Sequence, residues 1–527
     1  MSPKTVAVIV LVALLAVAGG GVVALVVGND DDSDDSGQER APEPTPTTSE
    51  PVDPSVTEPP SPELAEFYSQ ELEWSQCEDD DSKECSTLTV PIDYRDPAAG
   101  TIDLALLRAP AEEPDARVGS LVVNPGGPGA PGTQTAKDAD AYFGSPLRES
   151  FDIVGFDPRG TGSSDPIDCL SDDEVDAFVA GDPAPDDPGE EQEYAQGLED
   201  FFAGCVENSD DLIGHVSTNE AARDMDVLRS ALREETLDYF GFSYGTTLGS
   251  TYAELFPEKV GRFVLDGATD PNLTFRDDAL SQAGGFQVAL EAYIQDCVDQ
   301  GDCILGDSVQ EGLDRISGLL DDIDDLPLPT ATDRDLAIGN AFYGLVLPLY
   351  GQENWPYLTQ ALQQAFDGDG TTLLRFSDIY GSRNDDGTYA DNSLEAILAI
   401  NCLDDPSSIP PAKVPKNLPD FQKVSPTFGD AFAWGLLNCR GLQVEPAYEP
   451  LEIRAEGAAP IVVIGTTRDP ATPYEEAVAL AEQLESGVLV SRDGDGHTGY
   501  NKGNDCVDVA VEDYLIEGTV PDDGLEC

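Results

Sequence analysis

Thr236-Leu237-Asp238-Tyr239-Phe240-Gly241-Phe242-Ser243-Tyr244-Gly245-Thr246-Thr247-Leu248-Gly249 is the stretch that decides the fold. A run with strand character (Leu237, Tyr239, Phe240) feeds Gly-x-Ser-x-Gly, and small residues suited to a helix start follow. In that setting a serine is forced onto a sharp strand-to-helix bend with its hydroxyl exposed. The flanking glycines fit because a Cβ on either side would strike the neighbouring strand or helix. Five residues alone are a weak pattern, so the reading depends on the partners an acyl-transfer serine needs: a base, an acid to orient it, and donors for an oxyanion.

The base is nearly settled by scarcity, since the chain has two histidines, His215 and His497. His215 precedes the serine strand and reads as a helix-entry residue. His497, in Arg492-Asp493-Gly494-Asp495-Gly496-His497-Thr498, directly follows the last apolar run. Asp469 follows the run Ala459–Ile464, at a strand's C-terminal end where catalytic groups of open α/β sheets gather; Asp266, at the tip of Val260–Leu265, is the alternative. Asp493 and Asp495 read as solvated loop charges. The order Ser243, Asp469, His497 is that of the α/β-hydrolases. Oxyanion donors are expected from the amide of Tyr244 and from the loop Asn124-Pro125-Gly126-Gly127-Pro128-Gly129, with Gly127 preferred and Gly126 as its alternative. No Lys-Ser/Thr follows that loop, so a phosphate-binding P-loop is rejected. Asp157-Pro158-Arg159-Gly160-Thr161-Gly162 reads as a structural turn, Arg159 pairing with Asp157 or a loop carboxylate.

Outward from the serine, Ser86–Tyr94 and Ile102–Leu107 read as an opening antiparallel pair. Ser120–Asn124, Phe151–Phe156, Val260–Leu265, Ala459–Ile464 and Val488–Val490 read as short strands covered on both faces. Helical periodicity starts at Thr218 (Ala221, Met225, Leu228, Leu232). Strands alternating with helices predict an α/β fold with a mostly parallel sheet. Between Asp270 and Asn438 the pattern turns helical (Ala279–Cys297, Val309–Ile323, Trp355–Phe366), predicting an inserted, mainly helical cap domain.

The 527 residues hold 27 lysines and arginines against 103 aspartates and glutamates, a net charge of −76. Such a field repels nucleic acid and excludes binding through a basic patch. It serves solubility, or alternatively life at high salt. Val6 to Val27 carries no charge. As a helix it would span roughly 33 Å, enough to cross a bilayer. It reads as an anchor with residues 1–5 in the cytoplasm, or as a cleaved signal. Residues 28–65, rich in Asp, Glu, Pro and Thr, read as a disordered linker. Export agrees with ten cysteines (Cys77, Cys85, Cys169, Cys205, Cys297, Cys303, Cys402, Cys439, Cys506 and Cys527) and no Cys-x-x-Cys pair. An even count in an exported chain predicts disulfides. Sequence leaves the connectivity open, and pairing neighbours in order closes five short loops. Neither a metal nor a cofactor is expected.

The motifs Asn124–Gly129, Phe156–Ser164, Ala222–Asp226, Gly241–Thr246 and Gly494–Thr498 occur in one order. Together they resemble the exported tripeptidyl aminopeptidase-like α/β-hydrolases of actinobacteria, relatives of the prolyl iminopeptidases. The resemblance runs from about Trp74 to Cys527. It implies an α/β-hydrolase core over 66–269 and 439–527 with a cap over 270–438, and Ser243, Asp469 and His497 as triad. The implied activity is release of short peptides, tripeptides, from free N-termini; apart from the resemblance, the protein is expected to be an extracytoplasmic monomer, anchored or secreted. A carboxylesterase using the same triad stands as the alternative, and an inactive peptide-binding surface protein as a further one.

Overall fold

The computed structural model describes residues 56–527. The expected anchor Val6–Val27, and the linker up to residue 55, lie outside the described residues. Among the described residues no helix is long and apolar enough to cross a membrane.

Among the described residues ten strands form one sheet: β1 Ser75–Gln76, β2 Glu84–Pro91, β3 Thr101–Ala109, β4 Gly119–Asn124, β5 Phe151–Phe156, β6 Leu237–Phe242, β7 Val260–Asp266, β8 Ile461–Arg468, β9 Gly487–Asp495 and β10 Leu525–Glu526. Their spatial order is β1-β2-β3-β5-β4-β6-β7-β8-β9-β10. The opening pair β2 and β3 is antiparallel, with Leu88 opposite Leu104, and β3 is antiparallel to β5. From β5 onward every pairing is parallel. Side chains alternate between two buried faces: Val122, Tyr239 and Val463 join one core, while Val123, Phe240, Phe242 and Ile464 join the other. That two-sided burial is why these strands read as continuous apolar runs.

β8 and β9 run further than their apolar runs, reaching Arg468 and Asp495. Arg468 pairs with Asp493 and Asp495 across them, at 2.9 and 2.7 Å, so the two carboxylates are strand residues rather than loop charges. The C-terminal β10 escaped sequence reading because two residues carry no period. The end of the expected linker is ordered: Val56 and Leu64 are buried, and the Val56 carbonyl accepts from Arg229. Its few apolar side chains suffice to dock a short segment.

Between β7 and β8 the chain is helical, including Phe275–Gln300, Val309–Asp325, Trp355–Phe366 and Ser393–Asp404. Leu290, Ile294, Ile316, Leu345, Leu358 and Leu362 give most of these helices a core of their own, while Ser393–Asp404 packs Ala399, Ile400 and Leu403 into the core of the sheet. Helices Asp172–Ala180 and Pro188–Asn208, from the β5–β6 connection, join them, Leu198 packing with Trp434 and Leu436. The cover over the sheet therefore has two sources in the sequence.

Five disulfides join neighbours in order, Cys77–Cys85, Cys169–Cys205, Cys297–Cys303, Cys402–Cys439 and Cys506–Cys527. No cysteine is free, as suits an extracytoplasmic protein.

Glu476 ties the cover to the sheet side, accepting from Ser281 Oγ at 2.6 Å and from the Asp270 amide at 3.3 Å. Burial, with the Asp278 charge nearby, pushes its carboxyl up to about 8 from an ordinary 4.5. Between those values the folded state holds a proton that the unfolded chain releases, so stability falls as pH rises through that window. Glu476→Gln is expected to flatten this fall in the thermal midpoint between about pH 5 and 8; an unchanged slope rejects the assignment.

Candidate active site

β6 ends at Phe242 and helix Tyr244–Leu255 begins with a single residue between them. Ser243 alone makes the bend, with φ 54° and ψ −125°. A non-glycine residue there stores strain of order 1–3 kcal/mol, and the surroundings hold it in place. The Ser243 amide donates to the Asp266 carbonyl (2.9 Å), and its own carbonyl accepts from the Thr246 amide (2.8 Å) and Thr246 Oγ1 (2.7 Å). A trans peptide sets C=O and N–H on opposite sides, so Thr246 also fixes the direction of the Tyr244 amide. The flanking glycines are required by space. A Cβ on Gly241 would lie 2.3 Å from the Gly245 carbonyl oxygen, and one on Gly245 would lie 2.8 Å from that of Asn124.

Asp469 follows β8 and His497 follows β9. His497 Nδ1 lies 2.8 and 2.9 Å from the two Asp469 oxygens. The same carboxylate accepts from the amides of Ala471, Thr472 and Thr498 at 3.0, 2.9 and 3.0 Å. These four donors satisfy a carboxylate that is only 2% exposed. His497 is itself buried, and its Nε2 has no hydrogen-bond partner among the described residues. With Nδ1 committed to Asp469, Nε2 is the nitrogen free to exchange a proton.

Asp266, the alternative acid, has another task. It accepts from the amides of Gly499 and Tyr500 at 2.7 and 2.9 Å, holding the loop after His497. Burial raises its carboxyl to about 6.

The loop after β4 reaches the elbow. A Cβ on Gly126 would meet the Phe242 carbonyl oxygen and Ser243 Cβ, both at 2.8 Å. The Gly126 amide is taken by Asn124 Oδ1 at 3.0 Å, whereas Gly127 lines the cavity beside Ser243 and His497. That cavity measures about 1540 Å³, and its wall carries Glu174, Asp182, Asp278, Asp324 and Asp404 beside Phe286 and Tyr343.

Two contacts to His497 went unread in the sequence. Thr472 Oγ1 lies 3.4 Å from Nδ1; its place three residues after Asp469 was the available signal. From the cover, the Tyr350 carbonyl accepts from the His497 amide at 2.8 Å, and the two rings meet edge to face at 5.5 Å. No local pattern announces that contact, 147 residues away in sequence.

His215 stays outside the cavity, with Nδ1 2.9 Å from Glu220. Asp93, His215 and Glu220 could offer three ligand atoms to a cation. Arg95 already pairs with Asp93, and Arg159 lies 3.8 Å from Glu220. Arg159, fully buried, forks onto Asp224 with two bonds of 2.7 Å rather than onto Asp157. Asp157 instead accepts from Thr133 and Ser163. The turn at Asp157–Gly162 is thus tied together by hydrogen bonds of its own and of the neighbouring helix start.

A serine on a strand-to-helix elbow, followed by an aspartate and a histidine at the ends of later strands of a mostly parallel sheet, defines the α/β-hydrolase class. A family model described as TAP-like protein matches residues 425–527. Serine protease Hip1 of Mycobacterium tuberculosis is 37% identical over 87% of this chain and 91% of its own length. Carboxylesterase B of the same organism is 35% identical over 84% and 86%. The tripeptidyl aminopeptidase of Streptomyces coelicolor is 31% identical over 85% and 84%. The chain belongs to the TAP-like family of α/β-hydrolases.

Proposed function

We propose that this protein is a serine exopeptidase that releases short peptides, tripeptides, from free N-termini. The observation that carries the reading is the buried Asp469–His497 pair, whose Nε2 has no partner among the described residues and which lines the same cavity as Ser243. Ser243 Oγ attacks the scissile carbonyl carbon as His497 Nε2 takes its proton, and Asp469 stabilises the imidazolium. The Tyr244 and Gly127 amides receive the oxyanion. His497 then protonates the leaving amine, which departs. Water, deprotonated by the same nitrogen, hydrolyses the acyl-enzyme and restores Ser243. The acid-lined wall supports a substrate bearing an α-ammonium group, and the name of the Streptomyces relative supports the tripeptide length.

The helices of 270–438 serve as the cap in this reading, and the enzyme acts as an extracytoplasmic monomer held by residues 6–27, or freed if they are cleaved. The relative named as a carboxylesterase favours one second reading, hydrolysis of esters by the same triad. Chromogenic tripeptides with free and acetylated N-termini, run against a short-chain nitrophenyl ester, separate the two. We expect kcat/KM for the free tripeptide to exceed that for the acetylated one by about 100-fold or more, the scale of a lost charge-assisted contact. Ester turnover without peptide turnover rejects the exopeptidase.

A further inference from the structure

We infer that Asp404 and Thr218 form a positioning relay that holds Tyr244, and through it the oxyanion-binding amide that follows Ser243. The inference rests on the reading of Tyr244 as an oxyanion donor. Three hydrogen bonds carry it. The Thr218 amide donates to Asp404 Oδ1 at 2.9 Å, Thr218 Oγ1 donates to Asp404 Oδ2 at 2.5 Å, and Thr218 Oγ1 lies 2.5 Å from Tyr244 Oη. Burial pushes the Asp404 carboxyl up to about 7; above that pH it is ionised and only accepts, so the threonine proton goes to Asp404 and the tyrosine proton to Thr218.

Each member sits on a different element. Asp404 ends the covering helix Ser393–Asp404, Thr218 begins the core helix Thr218–Ala231, and Tyr244 begins the helix after the elbow. Thr218 and Tyr244 are 4% and 8% exposed, and all three border the cavity. Asp404 also lies two residues from Cys402, whose bridge to Cys439 anchors the end of its helix. Thr246 fixes the 243–244 peptide from its carbonyl side; the relay fixes Tyr244 from its side chain. Together they leave the amide one direction, which is what preorganised oxyanion binding demands.

Kinetics of Tyr244→Phe, Thr218→Val and the double variant test this, each measured on a free tripeptide, its acetylated form and a nitrophenyl ester. A loosened amide acts in the transition state, so kcat should fall about ten- to hundredfold on all three substrates with KM nearly constant. The double variant should fall no further than the worse single one, because both cut one chain. Thr218→Ser, which keeps the hydroxyl, should restore most of the kcat lost in Thr218→Val. Unchanged kcat in Tyr244→Phe, a loss carried by KM, or additive losses would overturn the relay. So would a loss confined to free N-termini, which would make this corner an ammonium subsite. Tyr244→Phe keeps the ring and its packing, so it remains informative if Thr218→Val folds poorly. If the wild type cleaves the ester and no peptide, the exopeptidase reading falls while the relay is still read on the ester.

Discussion

Ser243→Ala is expected to lower kcat by at least about 10⁴-fold on peptide and ester alike, with the thermal midpoint within a few degrees of wild type. The side chain takes no part in holding the bend. The main-chain bonds from Asp266 and Thr246 do that, and alanine faces the same positive φ as serine. Residual turnover comes from the oxyanion amides and from substrate binding, so the loss stops short of the uncatalysed rate. A variant as active as the wild type on any of these substrates ends the proposal that this elbow carries the nucleophile.

The second large effect separates two aspartates. Asp469→Asn keeps the size of the side chain but presents an amide to a histidine whose Nδ1 needs an acceptor, disfavouring the tautomer with a free basic Nε2. A fall of about 10⁴-fold in kcat is expected with the fold intact. Asp266→Asn acts differently, because its two oxygens each accept a backbone amide and an asparagine offers one oxygen. Leaving one buried donor unpaired costs about 1–3 kcal/mol, read as a lower thermal midpoint. The kcat of the folded fraction should fall far less than in Asp469→Asn. The opposite ranking would make Asp266 the acid of the triad.

Much of this site was legible because it is built at the ends of strands, where apolar runs stop. Ser243, Asp469 and His497 each follow such a run, and two histidines leave few candidates for a base. What distinguishes Gly127 from Gly126 exists only in three dimensions, where the Asn124 side chain occupies the Gly126 amide. Arg159 illustrates the same limit. Its charge called for a carboxylate, but the partner, Asp224, lies 65 residues away on another element. Nothing local places the helices at 172–208 in the cover, because a chain that leaves the sheet and returns has no mark of where it docks. Tertiary contacts between distant segments, here Tyr350 with His497 and Asp404 with Thr218, follow from no period or motif.

The bond from the His497 amide to the Tyr350 carbonyl makes the cover an interlock. The proposed base, His497, is seated from two directions, by a carboxylate of the sheet side and by a main-chain oxygen of the helical insert. Were the insert to swing away, it would take one of those seats with it, and the base would lose its alignment while the nucleophile stood open to bulk solvent. Exposure and competence would then be mutually exclusive. A folded protein surface pressing the insert open would meet a disarmed serine, whereas a chain end thin enough to slip beneath it would meet an armed one.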